Sequence, residues 1–356
     1  MVPREGIIVS KSEKVAVLVA GSWGTALAAV LADNGSEVVI WTRNAEQAEE
    51  INMLHTNRRY LPSAQLSPAI RATTEMGEAV SGAEAVLIVA PSSAMRQVSR
   101  ELARHVGQDT LIVHATKGFE TETLKRMSQV ISDELGCEEG HVVVLSGPSH
   151  AEEVVRKCPT TVVVASSEDQ AAQRAQDLFM NSYFRVYTNR DLIGVELSGA
   201  LKNIIALGAG MSDGLGFGDN AKAALLTRGL AEITRAGVEM GANPLTFAGL
   251  AGIGDLVVTA TSQHSRNWRA GSMLGKGMPL EEVQHTMGMV IEGIRTTQAA
   301  HAIAASLGVQ MPITDQLYKV LFEGQDVREA VEALMGRDPK TEMELMPLKT
   351  WEQWNS

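Results

Sequence analysis

Lys14-Val-Ala-Val-Leu-Val-Ala-Gly21-Ser-Trp-Gly24-Thr-Ala-Leu27 decides the fold. Its first seven residues are a short apolar run that ends in glycine, the pattern of a buried parallel strand. Over 22–34, Trp23, Ala26, Leu27, Val30 and Leu31 fall at helical spacing, and Asn34-Gly35 supplies a stop. A second strand is predicted over 37–42. Working outward, the same pattern recurs over 85–90, stopping at Pro91. It recurs over 111–115, before Lys117-Gly118, and over 142–145, before Ser146-Gly147-Pro148. Residues 160–165 and 184–187 read as further strands. Strands alternating with helical segments predict an α/β protein built on a doubly wound sheet.

From about Asp191 the pattern changes, and strand signal almost disappears. Helices are predicted over 194–209, 221–240, 280–287, 296–307 and 327–334, with glycine-rich joints between them. The expected organisation is a first domain over residues 1–188 and an all-helical second domain over 189–356.

Composition narrows the function. Lys and Arg number 31 against 42 Asp and Glu, a net charge of −11. So acidic a chain is a poor binder of nucleic acid or of anionic membrane. No run of apolar residues is long enough for a membrane-spanning helix, so no membrane insertion is expected. Met1–Glu13 reads as a short polar lead without a signal peptide's apolar run. Cys137 and Cys158 match no metal-ligand spacing and read as reduced thiols of a cytoplasmic protein.

The turn after the first strand compares with the dinucleotide fingerprint G-x-G-x-x-G. Gly21 and Gly24 occupy the second and third glycine places, which serve close approach to a pyrophosphate and helix-on-strand packing. Val19 stands in the first place, where glycine serves the tight turn, so a distorted loop or weakened binding is expected there. Two glycines alone would equally suit an ordinary βα turn. Here the turn follows the first strand and opens a helix whose N–H groups face a ligand. Beyond the second strand Arg43 comes before any carboxylate. A guanidinium suits the 2′-phosphate of NADPH, which is favoured, with NADH also accommodated. Read alone, Arg43 is more readily a solvated charge at a strand end.

Ligands of open α/β sheets bind beyond the carboxyl ends of the strands. Pro91-Ser-Ser93, Thr116-Lys117-Gly118 and Ser146-Gly147-Pro148-Ser149 all fall there. Lys117 would hold a substrate oxygen or phosphate, or be a solvated lysine. Ser149 with Glu152 also forms a plausible capping box.

The most informative helix is Gly194-Val-Glu-Leu-Ser-Gly-Ala-Leu-Lys202-Asn203-Ile-Ile-Ala-Leu-Gly-Ala-Gly210. It is apolar nearly all round and should be buried. Lys202 has no carboxylate three or four residues away, so no carboxylate can pair with it locally. A lone buried ammonium is expensive, and such a lysine suits general acid/base work unless its head snorkels to water. Gly249-Leu-Ala-Gly-Ile-Gly-Asp255 suggests a loop pressed against a ligand or another helix, with Asp255 placed to orient Lys202 and offset its charge. Ser265-Arg266-Asn267-Trp-Arg269 reads either as a phosphate cradle or as a loop leading into a helix with exposed arginines.

Together these residues carry a resemblance. Gly21-Ser22-Trp23-Gly24-Thr-Ala-Leu27, Ser146-Gly-Pro-Ser149, Gly199-Ala-Leu-Lys202-Asn203, Gly252-Ile-Gly-Asp255-Leu and Ser265-Arg266-Asn267 resemble, in order, the motifs of bacterial NAD(P)-dependent glycerol-3-phosphate dehydrogenases. The match runs from about residue 14 to beyond 330, and Val19 departs from it. The resemblance implies a Rossmann-type first domain and a C-terminal helical one. It also implies reversible reduction of dihydroxyacetone phosphate to sn-glycerol 3-phosphate, for phospholipid synthesis. By motif, Lys202 is the proton donor and acceptor at the C2 oxygen, with Lys117 and Asp255 assisting. Lys117, Gly147, Ser149, Lys202, Asp255, Ser265, Arg266 and Asn267 line the substrate site. Gly21, Ser22, Trp23, Gly24, Arg43, Lys117, Ala151, Arg266, Val290 and Glu292 contact the dinucleotide.

No metal is expected, since neither HExxH nor a cysteine ligand set is present. The partner is a small phosphorylated substrate, and the apolar helices of the second half leave a homodimer open. Two rival readings remain: a related two-domain dehydrogenase acting on a 3-hydroxy acid or sugar acid, and a non-catalytic dinucleotide sensor, which only Val19 favours.

Overall fold

Alternate residues of the first strand face opposite sides, and both sides are apolar. Val15 and Val17 join one buried cluster, while Ala16 and Leu18 join the other. A strand apolar on both faces belongs inside a sheet covered by helices on each side. The computed structural model, which describes residues 13–339, 341 and 342, has this arrangement. The polar lead over 1–12 lies outside the described residues.

The described residues divide into two compact units, one running up to Glu120 with Lys125–Leu192, the other Thr121–Leu124 with the residues from Ile193 onward. In the first unit the strands are β1 (Lys14–Leu18), β2 (Glu37–Trp41), β3 (Ile70–Thr73), β4 (Ala85–Ile88), β5 (Leu111–His114), β6 (Val142–Ser146), β7 (Thr160–Ala165) and β8 (Phe184–Asn189). Their helices are α1 (Ser22–Asp33), α2 (Ala45–Leu54), α3 (Met76–Val80), α4 (Met95–Leu102), α5 (Met127–Leu135), α6 (Ala151–Val154) and α7 (Asp169–Phe179). The sheet order is β3-β2-β1-β4-β5-β6-β7-β8. Every pairing is parallel except β6 with β7. β1 pairs with both β2 and β4, so the order reverses at β1 and the first βα turn lies at the switch point, where such sheets bind ligands.

The doubly wound sheet expected from the sequence is present. β3, Ile-Arg-Ala-Thr, was not anticipated, because a four-residue edge strand with one outward arginine carries little apolar signal. β1 ends two residues earlier than expected, since Val19 turns out of the strand. Ser149 does not cap a helix. α6 starts at Ala151 with His150 as its N-cap, and the Ser149 hydroxyl donates instead to Gly147 O at 3.0 Å.

The second unit is helical among the described residues. It holds α8 (Leu192–Leu215), α9 (Gly218–Glu239), α10 (Pro244–Phe247), α11 (Asp255–Thr261), α12 (Arg266–Gly275), α13 (Leu280–Met287), α14 (Glu292–Leu307), α15 (Pro312–Phe322) and α16 (Val327–Met335). α10, α11 and α15 were not anticipated, and α12 is the helix that one reading of the 265–269 stretch led into. Two segments here reach the length and apolarity of a membrane span, α8 and Pro244–Thr261. In α8, 94% of that stretch is buried within the protein, as expected of a core helix.

α8 and α12 meet backbone to backbone. A Cβ on Gly210 would lie 2.1 Å from Trp268 O, and one on Gly271 would lie 2.0 Å from Leu207 O. Only glycine permits this approach.

Candidate active site

In the second unit the burial of α8 takes Lys202 with it, leaving its side chain 4% exposed. The carboxylate that the local sequence does not place beside it comes from α11. Lys202 Nζ lies 3.1 Å from Asp255 Oδ1 and donates to Thr259 Oγ1 at 2.6 Å. The Thr259 hydroxyl lies 3.1 Å from Asp255 Oδ1. Asp255 and Thr259 are four residues apart, so they share one face of α11. Asp255 thus stands where the sequence reading put it, beside Lys202, and the charge is met from another helix. A buried charge so paired is tolerated where an isolated one is not. Thr259 was missed, although the Asp255-x-x-x-Thr259 spacing beside a lysine helix is the signal that would find it.

Asn203, the residue after Lys202, fixes a second cluster. Asn267 Nδ2 donates to Asn203 Oδ1 at 2.9 Å, and Asn267 Oδ1 accepts from Gly293 N at 2.9 Å. A side chain on Gly293 would collide with both asparagines. Ser265 is the N-cap of α12, its hydroxyl accepting from Trp268 N at 3.2 Å. Arg266 is exposed, and its Nη1 donates to Val290 O at 3.2 Å. Arg266 thus meets Val290, and Asn267 meets Gly293 beside Glu292, which stands in the first turn of α14. Asn203 follows Lys202 directly, and the sequence alone assigns it no role.

In the first unit, Lys117 follows β5, and Gly147 and Ser149 follow β6. Lys117 Nζ and Ser149 Oγ converge on Gly147 O, at 3.4 and 3.0 Å. The strand order brings these residues together, because β5 and β6 are parallel neighbours. Ala151 is buried at the start of α6.

The fingerprint turn fits a dinucleotide. A Cβ on Gly21 would meet nothing within 4 Å, so the backbone there is open to close approach. On Gly24 a Cβ would lie 2.4 Å from Val19 O, which is the close packing the third glycine serves. α1 has Gly21 as N-cap, no side-chain cap and no acidic residue in its first turn, an N-terminus suited to a phosphate. Ser22 and Trp23 are half-buried there, and Arg43 is exposed two residues past β2. Val19 does not disorganise the turn. It takes the left-handed conformation a glycine would adopt, at φ +81°.

Comparison with known proteins decides the family. The N-terminal and C-terminal models of NAD-dependent glycerol-3-phosphate dehydrogenase match residues 14–172 and 191–332. The chain belongs to the NAD-dependent glycerol-3-phosphate dehydrogenase family. It is an oxidoreductase that works with NAD or NADP. This family membership leaves the sensor reading without support. A glycerol-3-phosphate dehydrogenase (NAD(P)+) of Lysinibacillus sphaericus is 56% identical over 335 residues, 94% of this chain and 99% of that protein. The Bacillus subtilis protein of the same name is also 56% identical, over 93% of this chain and 96% of its own length. The crystal structure of glycerol-3-phosphate dehydrogenase from Coxiella burnetii has a TM-score of 0.86 and 40% identity, covering 91% of this chain and 98% of its own.

Proposed function

We propose that this member of the glycerol-3-phosphate dehydrogenase family catalyses the reversible NAD(P)H-dependent reduction of dihydroxyacetone phosphate to sn-glycerol 3-phosphate, supplying glycerophospholipid synthesis. One observation carries the mechanism: the buried Lys202 ammonium, aimed by Asp255 and Thr259. When bound, the nicotinamide supplies hydride to the carbonyl carbon. Lys202 gives a proton to the oxygen at C2 in reduction and takes it back in oxidation. Asp255 and Thr259 hold Nζ in one place, so proton transfer needs no reorganisation of the side chain.

Arg266, Asn267 and Ser265 serve the phosphate in this reading, with Lys117, Gly147 and Ser149 lining the rest of the substrate site. Lys117 also polarises the carbonyl. Gly21, Ser22, Trp23, Gly24, Arg43, Lys117, Ala151, Arg266, Val290 and Glu292 contact the dinucleotide. The guanidinium of Arg43 supports a preference for NADPH over NADH. Cys137 and Cys158 are not bridged, which suits a reducing compartment, and we assign the reaction to the cytoplasm. The apolar helices of the second unit are the basis on which a homodimer is proposed.

The deciding experiment is loss of NADPH absorbance when dihydroxyacetone phosphate is added, with oxidation of glycerol 3-phosphate compared against unphosphorylated 3-hydroxy acids. Turnover confined to the phosphorylated pair supports the assignment. Preference for an unphosphorylated acid overturns it.

A further inference from the structure

Val19 sits in a conformation that its side chain opposes. Leu18 is fixed on both sides by pairing with Trp41 and Ile88, and Val19 N donates to Trp41 O at 2.9 Å. The chain must then turn sharply, and φ at Val19 is +81°. For a β-branched residue this is an outlier, and such strain persists only where the surroundings over-determine it.

What holds it lies one residue on. The Ala20 carbonyl accepts from Gln47 Nε2 at 2.8 Å and from Asn57 Nδ2 at 3.0 Å. Asn57 is fully buried, and its Nδ2 also donates to Thr25 Oγ1 at 2.8 Å, in the first turn of α1. Gln47 Nε2 bonds Asn57 Oδ1 at 3.0 Å, and Gln47 Oε1 accepts from Thr42 Oγ1 at 2.6 Å. The end of β2, the helix α2 and the segment after it thus close on one carbonyl of the fingerprint turn.

A trans peptide is planar, with its carbonyl and N–H pointing opposite ways. Fixing the Ala20 carbonyl therefore fixes the Gly21 N–H, directed away from the clamp. We propose that Gln47 and Asn57 are positioning residues for the dinucleotide, holding the Ala20–Gly21 peptide in its phosphate-binding orientation against the strain at Val19. The proposal rests on dinucleotide binding at this turn. A clamp raises affinity only if the turn would otherwise spend time in a relaxed, non-binding conformation, and a strained residue favours such a conformation. The clamp and Val19 are therefore energetically coupled, and a glycine at position 19 would make the clamp less necessary.

The test is a double-mutant cycle on the full chain, with Kd for NADPH read by calorimetry in wild type, Gln47→Ala, Val19→Gly and the double variant. Gln47 is half-buried on α2, so its truncation should leave the fold intact, and Asn57→Ser provides a second, milder break of the clamp. With Val19 present, Gln47→Ala is expected to weaken NADPH about tenfold, the scale of one hydrogen bond, and in the Val19→Gly background about threefold or less. KM for NADPH should rise while kcat at saturation stays close to wild type. Equal losses in the two backgrounds, or a Kd indifferent to both Gln47→Ala and Asn57→Ser, would overturn the proposal while leaving dinucleotide use intact. Failure of the wild-type chain to bind NADPH or NADH would overturn the cofactor reading and this proposal with it.

Discussion

Lys202 and Asp255 lie 53 positions apart in sequence, yet their charged atoms stand 3.1 Å apart with both side chains buried. Neither charge would be stable there alone. The pair makes Lys202 available in a dry place, and Thr259 completes its orientation.

If Lys202 carries the proton, Lys202→Ala should bind NADPH as wild type does and lose turnover by about 10²–10⁴-fold, the usual scale of general acid–base catalysis. Calorimetry and steady-state kinetics on the same preparation check both halves. Near-native turnover in this variant would remove the proposed proton donor. Thr259→Val, which deletes one hydrogen bond and keeps the shape, should lower kcat by about tenfold or less.

Asp255→Ala leaves the ammonium buried without its carboxylate, so it should cost about 3–5 kcal/mol in denaturant unfolding. Replacing both partners together, as Lys202→Met with Asp255→Leu, should cost much less, because two desolvated charges are removed along with their attraction. An additive loss in the double variant would show that the pair is not coupled.

Gly210→Ala would drive a methyl group into Trp268 O. Backbone cannot step aside as a side-chain tip can, so a loss of about 1–3 kcal/mol or more is expected from thermal or denaturant unfolding. Unchanged stability would mean that α8 and α12 are not in the tight contact described.

Arg43→Ala should raise KM for NADPH about tenfold and leave KM for NADH nearly unchanged, since only the former carries the 2′-phosphate. Parallel kinetics with the two cofactors decide the matter. Equal effects on both would assign Arg43 to the shared part of the dinucleotide.

The pH dependence of stability has a readable contribution in the first unit. Hydrogen bonds from Arg100 and then Arg96 hold the Glu134 carboxyl below its usual range, and Lys125, aided by Arg96, does the same for Asp133. Groups with lowered folded values contribute stability above the ordinary carboxylate range and lose it as pH falls through the folded values. Arg96→Ala should therefore be less stable than wild type near neutrality, with the gap narrowing as the solution is acidified. A gap constant with pH in denaturation curves would contradict the assignment.

The sheet was legible because its strands are apolar on both faces and end at glycine, proline or lysine–glycine stops, as β1, β4 and β5 do. The short edge strand β3 was not, because four residues hold too little pattern. α8 announced itself by being apolar all round, and its lysine by having no carboxylate three or four residues away. Asn203, Gln47 and Asn57 were not identified as site residues because each acts through a contact distant in sequence, whereas Thr259 had a local signal in its four-residue spacing from Asp255. A polar side chain bonding a carbonyl 27 or 37 positions away leaves no local periodicity. Val19 was visible as a departure, but whether the turn would yield or the residue would strain depended on the strands gripping Leu18 from both sides.

The glycine seam between α8 and α12 has an evolutionary consequence. One rod bears the proposed acid, and the other begins with the proposed anion holder. With main chains touching, neither can be adjusted independently of the other. Any descendant carrying a larger residue at Gly210 or Gly271 would first have to wedge the rods apart, so drift at either position is tied to the spacing of both helices.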